Sequence, residues 1–169
     1  MTVIKGRVWV FGDNIDTDMI TPGEYLKFSA DETAKHVLEG ADPDFPNKVQ
    51  EGDIVVGGTN FGCGSSRESA PASMKLAGIG AVVSIFFARI FFRNAINLGL
   101  PVIECPDAKK IKQGDYIEID LKKGQIKNHT QNEIYETLPY PDKVMEILDN
   151  GGLLNLLEKQ VSKEHNTIS

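Results

Sequence analysis

Residues 60–70 read Asn-Phe-Gly-Cys-Gly-Ser-Ser-Arg-Glu-Ser-Ala, and the segments on either side of them set the fold. Upstream, Asp53 to Val56 (DIVV) is a short β-branched run that reads as a buried strand, and Gly57 and Gly58 let the chain turn out of it. Downstream, Glu68 to Leu76 reads as a helix closed near Gly78. The pattern then repeats. Ala81 to Ile85 (AVVSI) reads as a strand, Phe87 to Leu98 as a helix stopped by Gly99, and Pro101 to Glu104 as a strand. Strands alternating with helices predict an α/β fold with right-handed parallel crossovers and helices packed on the sheet.

Further out, the chain changes character at both ends. Arg7 to Phe11 (RVWVF) alternates and reads as a strand, followed by a structured loop from Gly12 to Gly23. Ser29 and Glu32 have capping-box spacing, and Ala34, Val37 and Leu38 form an apolar stripe up to Gly40, which predicts a short helix. Asp42 to Lys48 carries two prolines and reads as loop. Past Glu104, Tyr116 to Leu121 alternates, Lys123-Gly124 is a turn, and Gln125 to Lys127 and Glu133 to Glu136 are short strands. These predict an antiparallel hairpin region added to the parallel sheet. Pro141 to Lys159 predicts a helix broken at Gly151-Gly152, and residues 161–169 are polar. The expected division is one domain over 1–160 and a frayed tail over 161–169.

Composition narrows the function classes. A chain of 169 residues, 41% apolar and 25% charged, suits one compact globular domain. A net charge of −6 argues against a nucleic-acid or anionic-membrane partner. The longest apolar run, Ala81 to Ile90, is interrupted by Ser84 and Arg89 and is too short for a bilayer. The N-terminus has no signal-peptide pattern, so a cytoplasmic location is the default expectation. Cys63 and Cys105 are too few for the three or four thiolates of a cubane cluster, and His36, His129 and His165 make no zinc pattern. The expectation is therefore no metal or cofactor in this chain.

The chemistry concentrates in the opening stretch. Gly62 and Gly64 allow close backbone approach, and Ser65 and Glu68 match capping-box spacing. The amides of Ser66, Arg67 and Glu68 would then face the loop mouth as a helix N-terminal anion site, with the Arg67 guanidinium adding a fork suited to a carboxylate. The spacing equally fits a bland arrangement in which Ser65 is only a helix cap and Arg67 a surface residue. Neither G-x-x-x-x-G-K-[ST] nor G-x-G-x-x-G is present, which removes the usual phosphate loops.

Three motifs in register carry a resemblance over nearly the whole chain. Gly62 to Glu68 (GCGSSRE), Asp16 to Gly23 (DTDMITPG) and Phe87 to Ile90 (FARI), the last followed by Arg93-Asn94 and Gly99-Leu100-Pro101, resemble segments of the aconitase swivelling domain. They are equally similar to the small subunits of isopropylmalate isomerase (3-isopropylmalate dehydratase) and homoaconitase. The resemblance implies a three-layer β/β/α swivelling domain and a hydro-lyase that isomerises its substrate by dehydration and rehydration, active only with a large subunit. It implies that Ser65 is the base that takes a proton from the carbon beside a carboxylate, and that Ser66 and Arg67 hold substrate. Thr17, Asp18 and Thr21 match the loop facing the substrate, and an Asx-turn is a second role for Asp18. Arg89 is expected to pin structure, and Cys63 to be a small buried residue. A 4Fe–4S cluster is expected on a cysteine-rich large subunit, held by three cysteines there.

Substrate choice is implied by Glu24 to Ser29 (EYLKFS), which matches the family's variable segment. Lys27 is cationic but not Arg, Phe28 is apolar, and Ser29 stands where aconitases carry Arg. Citrate is thereby disfavoured. The expectation is isomerisation of 2-isopropylmalate to 3-isopropylmalate, a step of leucine biosynthesis, ahead of homocitrate or another branched malate. A non-catalytic anion-binding module is the competing expectation from another class.

Overall fold

A computed structural model describes residues 3–168. Its elements in chain order are β1 (Val3–Val10), α1 (Thr17–Ile20), α2 (Ala30–Ala34), α3 (Phe45–Lys48), β2 (Ile54–Val56), α4 (Ser69–Leu76), β3 (Ala81–Ser84), α5 (Arg89–Leu98) and β4 (Val102–Glu104). The three strands β5 (Tyr116–Asp120), β6 (Gln125–Asn128) and β7 (Glu133–Glu136) follow, then α6 (Asp142–Asp149) and α7 (Leu153–Ile168).

One seven-stranded mixed sheet runs in the order β4-β3-β2-β1-β5-β6-β7. The α/β expectation holds, and β1 is where its two halves join. Residues Val8 to Val10 pair in parallel with Ile54 to Val56, whereas Val3 to Arg7 pair antiparallel with Asp120 to Tyr116. β2 and β3 are buried at every position, as parallel strands covered on both faces must be, which explains their unbroken apolar runs. α4 and α5 supply the β2–β3 and β3–β4 crossovers. The antiparallel half alternates instead: Ile117, Ile119 and Ile126 are fully buried while their neighbours face outward.

Several sequence expectations shift. Asp42 to Lys48 reads as loop, yet Phe45–Lys48 is the short helix α3, with Pro46 in its first turn, where a missing N–H leaves no helical bond unmade. α4 begins at Ser69, with Glu68 at its cap position and no side-chain cap bond. Ser65 therefore does not cap it, and the amides of Ser66 and Arg67 precede the helix. α5 begins at Arg89 rather than Phe87, because Phe87 pairs with Phe61 in an isolated bridge and Ala88 is extended. The stripe after Ser29 is helical only to Ala34. Leu38 then takes a left-handed φ of 56° and donates its amide to Ile20 O at 2.9 Å, so the segment folds onto α1 and buries Val37 and Leu38. Helix α7 continues through residues 161–168, the stretch whose polarity predicts a tail. Every side chain from Leu157 to Thr167 is nevertheless exposed.

The loops leaving the carboxyl ends of β1, β2 and β3 are laced together. Gly58 N donates to Gly12 O at 3.1 Å, Ile85 N to Gly58 O at 2.9 Å, and Ala88 N to Phe61 O at 2.9 Å. This is the edge of an α/β sheet where ligands collect.

Candidate active site

Two stretches far apart in sequence become one surface. Gly62 N donates to Ile15 O at 2.7 Å, and Thr17 N donates to Cys63 O at 2.9 Å. Asp16 caps α1 by accepting from Met19 N at 2.8 Å, which fixes the turn that carries Thr17 and Asp18. Glycine is required twice on the facing strand. Gly62 has φ of 84°, and a Cβ there would collide with the Phe91 ring. Gly64 has φ of 94°, a backbone conformation that L side chains rarely adopt.

The consequence is a hydroxyl pair. Thr17 is 3% exposed, and its Oγ1 donates to Ser65 O at 2.8 Å. Thr17 Oγ1 also lies 3.3 Å from Ser65 Oγ. Since Thr17 has one proton and spends it on the carbonyl, the Ser65 hydroxyl is the donor in the second contact. Ser65 thus has its proton already aimed at a neighbouring oxygen, while the rest of its side chain opens to solvent.

Arg67 is fixed by the opposite loop. Its Nη1 donates to Asp18 Oδ1 at 3.0 Å and to Thr21 O at 3.1 Å. Asp18 Oδ1 also accepts from Gly23 N at 3.0 Å. The Arg67 hydrogen bond first, and the Gly23 amide second, hold the Asp18 carboxyl below its ordinary range. Asp18 therefore orients Arg67 and closes the loop by accepting from the amide five residues on, not the one two residues on that the expected Asx-turn would use. Thr21 is 1% exposed; its hydroxyl finds no partner among the described residues and its carbonyl makes the contact with Arg67. Its part in the site runs through the backbone.

These groups border a cavity of about 180 Å³ lined by Thr17, Ser65, Ser66, Arg67, Arg89 and Asn94, among others. Arg89 revises its expected role. It is exposed at the cavity and makes no hydrogen bond or ion pair among the described residues, so it pins nothing. Asn94, quoted in the same motif but given no task by the sequence, sits one helical turn beyond Ile90 and lines the same wall. Their signal was present in FARI-x-x-R-N but could not be separated from packing by spacing.

The residues expected to set specificity do not line this cavity. Ser29 caps α2, accepting from Glu32 N at 3.3 Å. Lys27 Nζ lies over the Phe28 ring, 5.6 Å from its centroid. Leu26 and Phe28 border a neighbouring pocket of about 190 Å³ with Thr33 and the α4 residues Ser69, Ala72 and Ser73.

Neither cysteine is poised for nucleophilic work. Burial, with the Asp16 carboxylate beside it, pushes the Cys63 thiol up, and burial pushes Cys105 up to about 11. Among the described residues no three His, Cys, Asp or Glu side chains converge. No described helix is long and apolar enough to cross a membrane.

The fold and the site together define a class: an α/β domain that offers a serine hydroxyl and a braced arginine on the rim of its sheet. Residues 12–108 match the aconitase C-terminal domain, and the chain belongs to that family. It is 53% identical to the 3-isopropylmalate dehydratase small subunit of Methanosarcina mazei, over 95% of this chain and 99% of that protein. It is 56% identical to the methanogen homoaconitase small subunit of Methanothermobacter thermautotrophicus, over 90% and 89%. The crystal structure of 3-isopropylmalate dehydratase from Methanocaldococcus jannaschii superposes with a TM-score of 0.93 at 46% identity, covering 98% of this chain and 99% of that one.

Proposed function

We propose that this chain is the small subunit of a hydro-lyase that isomerises 2-isopropylmalate to 3-isopropylmalate, working only with a large subunit of aconitase type. The observation that carries the reading is the Thr17–Ser65 hydroxyl pair facing a cavity that also holds Arg67 and Arg89. A dicarboxylic acid needs two cationic contacts and one base, and this rim supplies that set.

Ser65 first gives up its own hydroxyl proton to solvent. The Oγ alkoxide then takes the proton from the carbon beside a carboxylate, and that C–H electron pair becomes the carbon–carbon double bond. The C–O bond of the adjacent carbon breaks to release hydroxide, which leaves as water after taking up a proton from solvent. Water then adds in the opposite sense and Ser65 returns the proton. A serine alkoxide is too basic to form unaided. Thr17 Oγ1 is placed to turn its proton from Ser65 O to Ser65 Oγ, and Arg67 adds positive potential nearby. Ser66 and Arg67 hold a substrate carboxylate, with Asp18 and the Thr21 carbonyl fixing the guanidinium plane. A 4Fe–4S cluster on the large subunit, held by three cysteines there, is expected to assist departure of the hydroxyl.

Lys27 with Phe28 favours an alkyl-substituted malate, because the ammonium lies over the Phe28 ring and not in the cavity beside Ser65. Were the ammonium to turn inward, it would meet a distal carboxylate and favour a homocitrate-type acid. The deciding experiment combines the chain with a cluster-loaded aconitase-type large subunit and follows the ultraviolet absorbance of the unsaturated intermediate. Turnover of isopropylmalate is expected, and Ser65→Ala should lower kcat by about two to four orders of magnitude. A loaded complex inert toward isopropylmalate and homocitrate-type acids alike, while the isolated chain binds them, would make this an anion-binding module instead.

A further inference from the structure

Outside the cavity, Tyr25, His36 and Glu39 form a closed cluster. The Tyr25 and His36 rings stack with centroids 3.7 Å apart and planes 5° from parallel. His36 Nδ1 lies 2.6 Å from Glu39 Oε2, and the Tyr25 hydroxyl donates to Glu39 Oε1 at 3.3 Å. One carboxylate therefore ties both rings of the stack. His36 and Glu39 side chains are 36% and 32% exposed, so this is an ordered arrangement at the surface, where unpaired side chains would ordinarily keep their rotamer freedom.

Its position in the chain gives it a consequence. Tyr25 follows Gly23 by two residues, and the Gly23 amide donates to the same Asp18 oxygen that receives Arg67 Nη1. Gly23 packs so near the guanidinium that a Cβ there would lie 3.9 Å from Arg67 Nη2. On the other side, Thr33 Oγ1 lies 3.0 Å from Tyr25 O and 2.9 Å from Ser29 O. The segment from Tyr25 to Ser29 is thus tied at both ends, and Lys27 and Phe28 are exposed between the ties. The Tyr25 and Phe28 rings meet at 6.2 Å, so the stack also bears on Phe28 directly.

We propose that Tyr25, His36 and Glu39 form a positioning clamp that fixes Lys27 and Phe28 relative to the Arg67–Asp18 pair, and thereby sets which substituted malate is bound. This rests on reading residues 24–29 as the specificity segment of a hydro-lyase subunit. None of the three touches the reacting atoms; they act through the segment they hold.

Trypsin cleavage after Lys27 in the full chain reads the clamp without any activity. His36→Ala should speed that cleavage about tenfold, the scale expected from losing one ring stack and one hydrogen bond. His36→Phe, which retains a stacking ring, should return much of the protection. Tyr25→Phe loses only the hydroxyl contact and should give a smaller acceleration, so the comparison survives if one variant folds poorly. In the reconstituted complex, His36→Ala should raise KM for the preferred acid several-fold with kcat nearly unchanged, and should narrow the preference between isopropylmalate and homocitrate-type acids. Cleavage at Lys27 at the wild-type rate in all three variants would overturn the clamp. So would a fall in kcat with KM and preference intact. If the wild-type complex turns over neither acid, the functional reading fails while the Lys27 cleavage rates still decide the clamp.

Discussion

Thr17→Val tests whether the hydroxyl pair serves the chemistry. Valine keeps the shape of threonine at a position only 3% exposed, so the main loss is the hydroxyl and its contacts to Ser65 O at 2.8 Å and Ser65 Oγ at 3.3 Å. For stability, the loss is one neutral hydrogen bond to a residue that water can reach, about 1 kcal/mol. In a domain of this size that lowers Tm by about 2–4 °C. In turnover, the hydroxyl would face a developing alkoxide, and a hydrogen bond to a charged group is worth about 1.5–3 kcal/mol. At about 1.36 kcal/mol per tenfold in rate, kcat should fall roughly 10- to 150-fold. The lower part of that range is expected, because Thr17 gives up its bond to Ser65 O in order to turn. KM should move little, since no substrate contact is removed. The assay is kcat and KM for isopropylmalate in the reconstituted complex, beside a thermal melt of the chain alone. A folded Thr17→Val protein with kcat within about twofold of wild type would refute the pairing as a catalytic device. A Tm drop beyond about 10 °C would show that the threonine is mainly structural.

Arg67→Lys retains charge but loses the planar fork that spans Asp18, the Thr21 carbonyl and substrate; KM should rise about tenfold or more while Tm stays within a few degrees, and an unchanged KM would place the carboxylate elsewhere. Arg89→Ala should leave stability within about 0.5 kcal/mol, because the side chain has no partner among the described residues; a raised KM in the complex would confirm that it meets the substrate, and an unchanged KM would remove it from the site. Asp115 gives a pH signature. Burial raises its carboxyl, but hydrogen bonds from Asn128, the Lys112 amide and Gln131 outweigh this and leave it below its ordinary 3.8. Its folded value lies under its unfolded one, so its stabilisation is complete above about pH 4 and is lost as pH falls through the folded value. Asp115→Asn should flatten the dependence of stability on pH below 4 in denaturant titrations, and an unaltered slope there would contradict the assignment.

The sequence by itself determined the parallel half of the sheet, because strands buried on both faces must be continuous β-branched runs and the crossovers between them must be helical. DIVV and AVVSI say so without any tertiary information, and the alternation of Tyr116 to Leu121 equally marks a half-exposed antiparallel strand. The three motifs, taken as a resemblance, named the family that the comparisons confirm. Tertiary structure alone decided which groups meet. Ser65 has the spacing of a helix cap, yet the helix starts at Ser69, because Arg67 is drawn aside by Asp18 and Thr21 from a loop 46 residues or more earlier. Arg89 read as a structural arginine because nothing local distinguishes an arginine with a partner from one without. His36 and Glu39 carry no motif at all, and Tyr25 lies in the variable segment with nothing to mark its partners. Beyond His36 the chain turns left-handed at Leu38 and bonds back onto α1 through the Leu38 and Gly40 amides, and local pattern cannot encode where a chain reversal will be pulled by a carbonyl eighteen residues away.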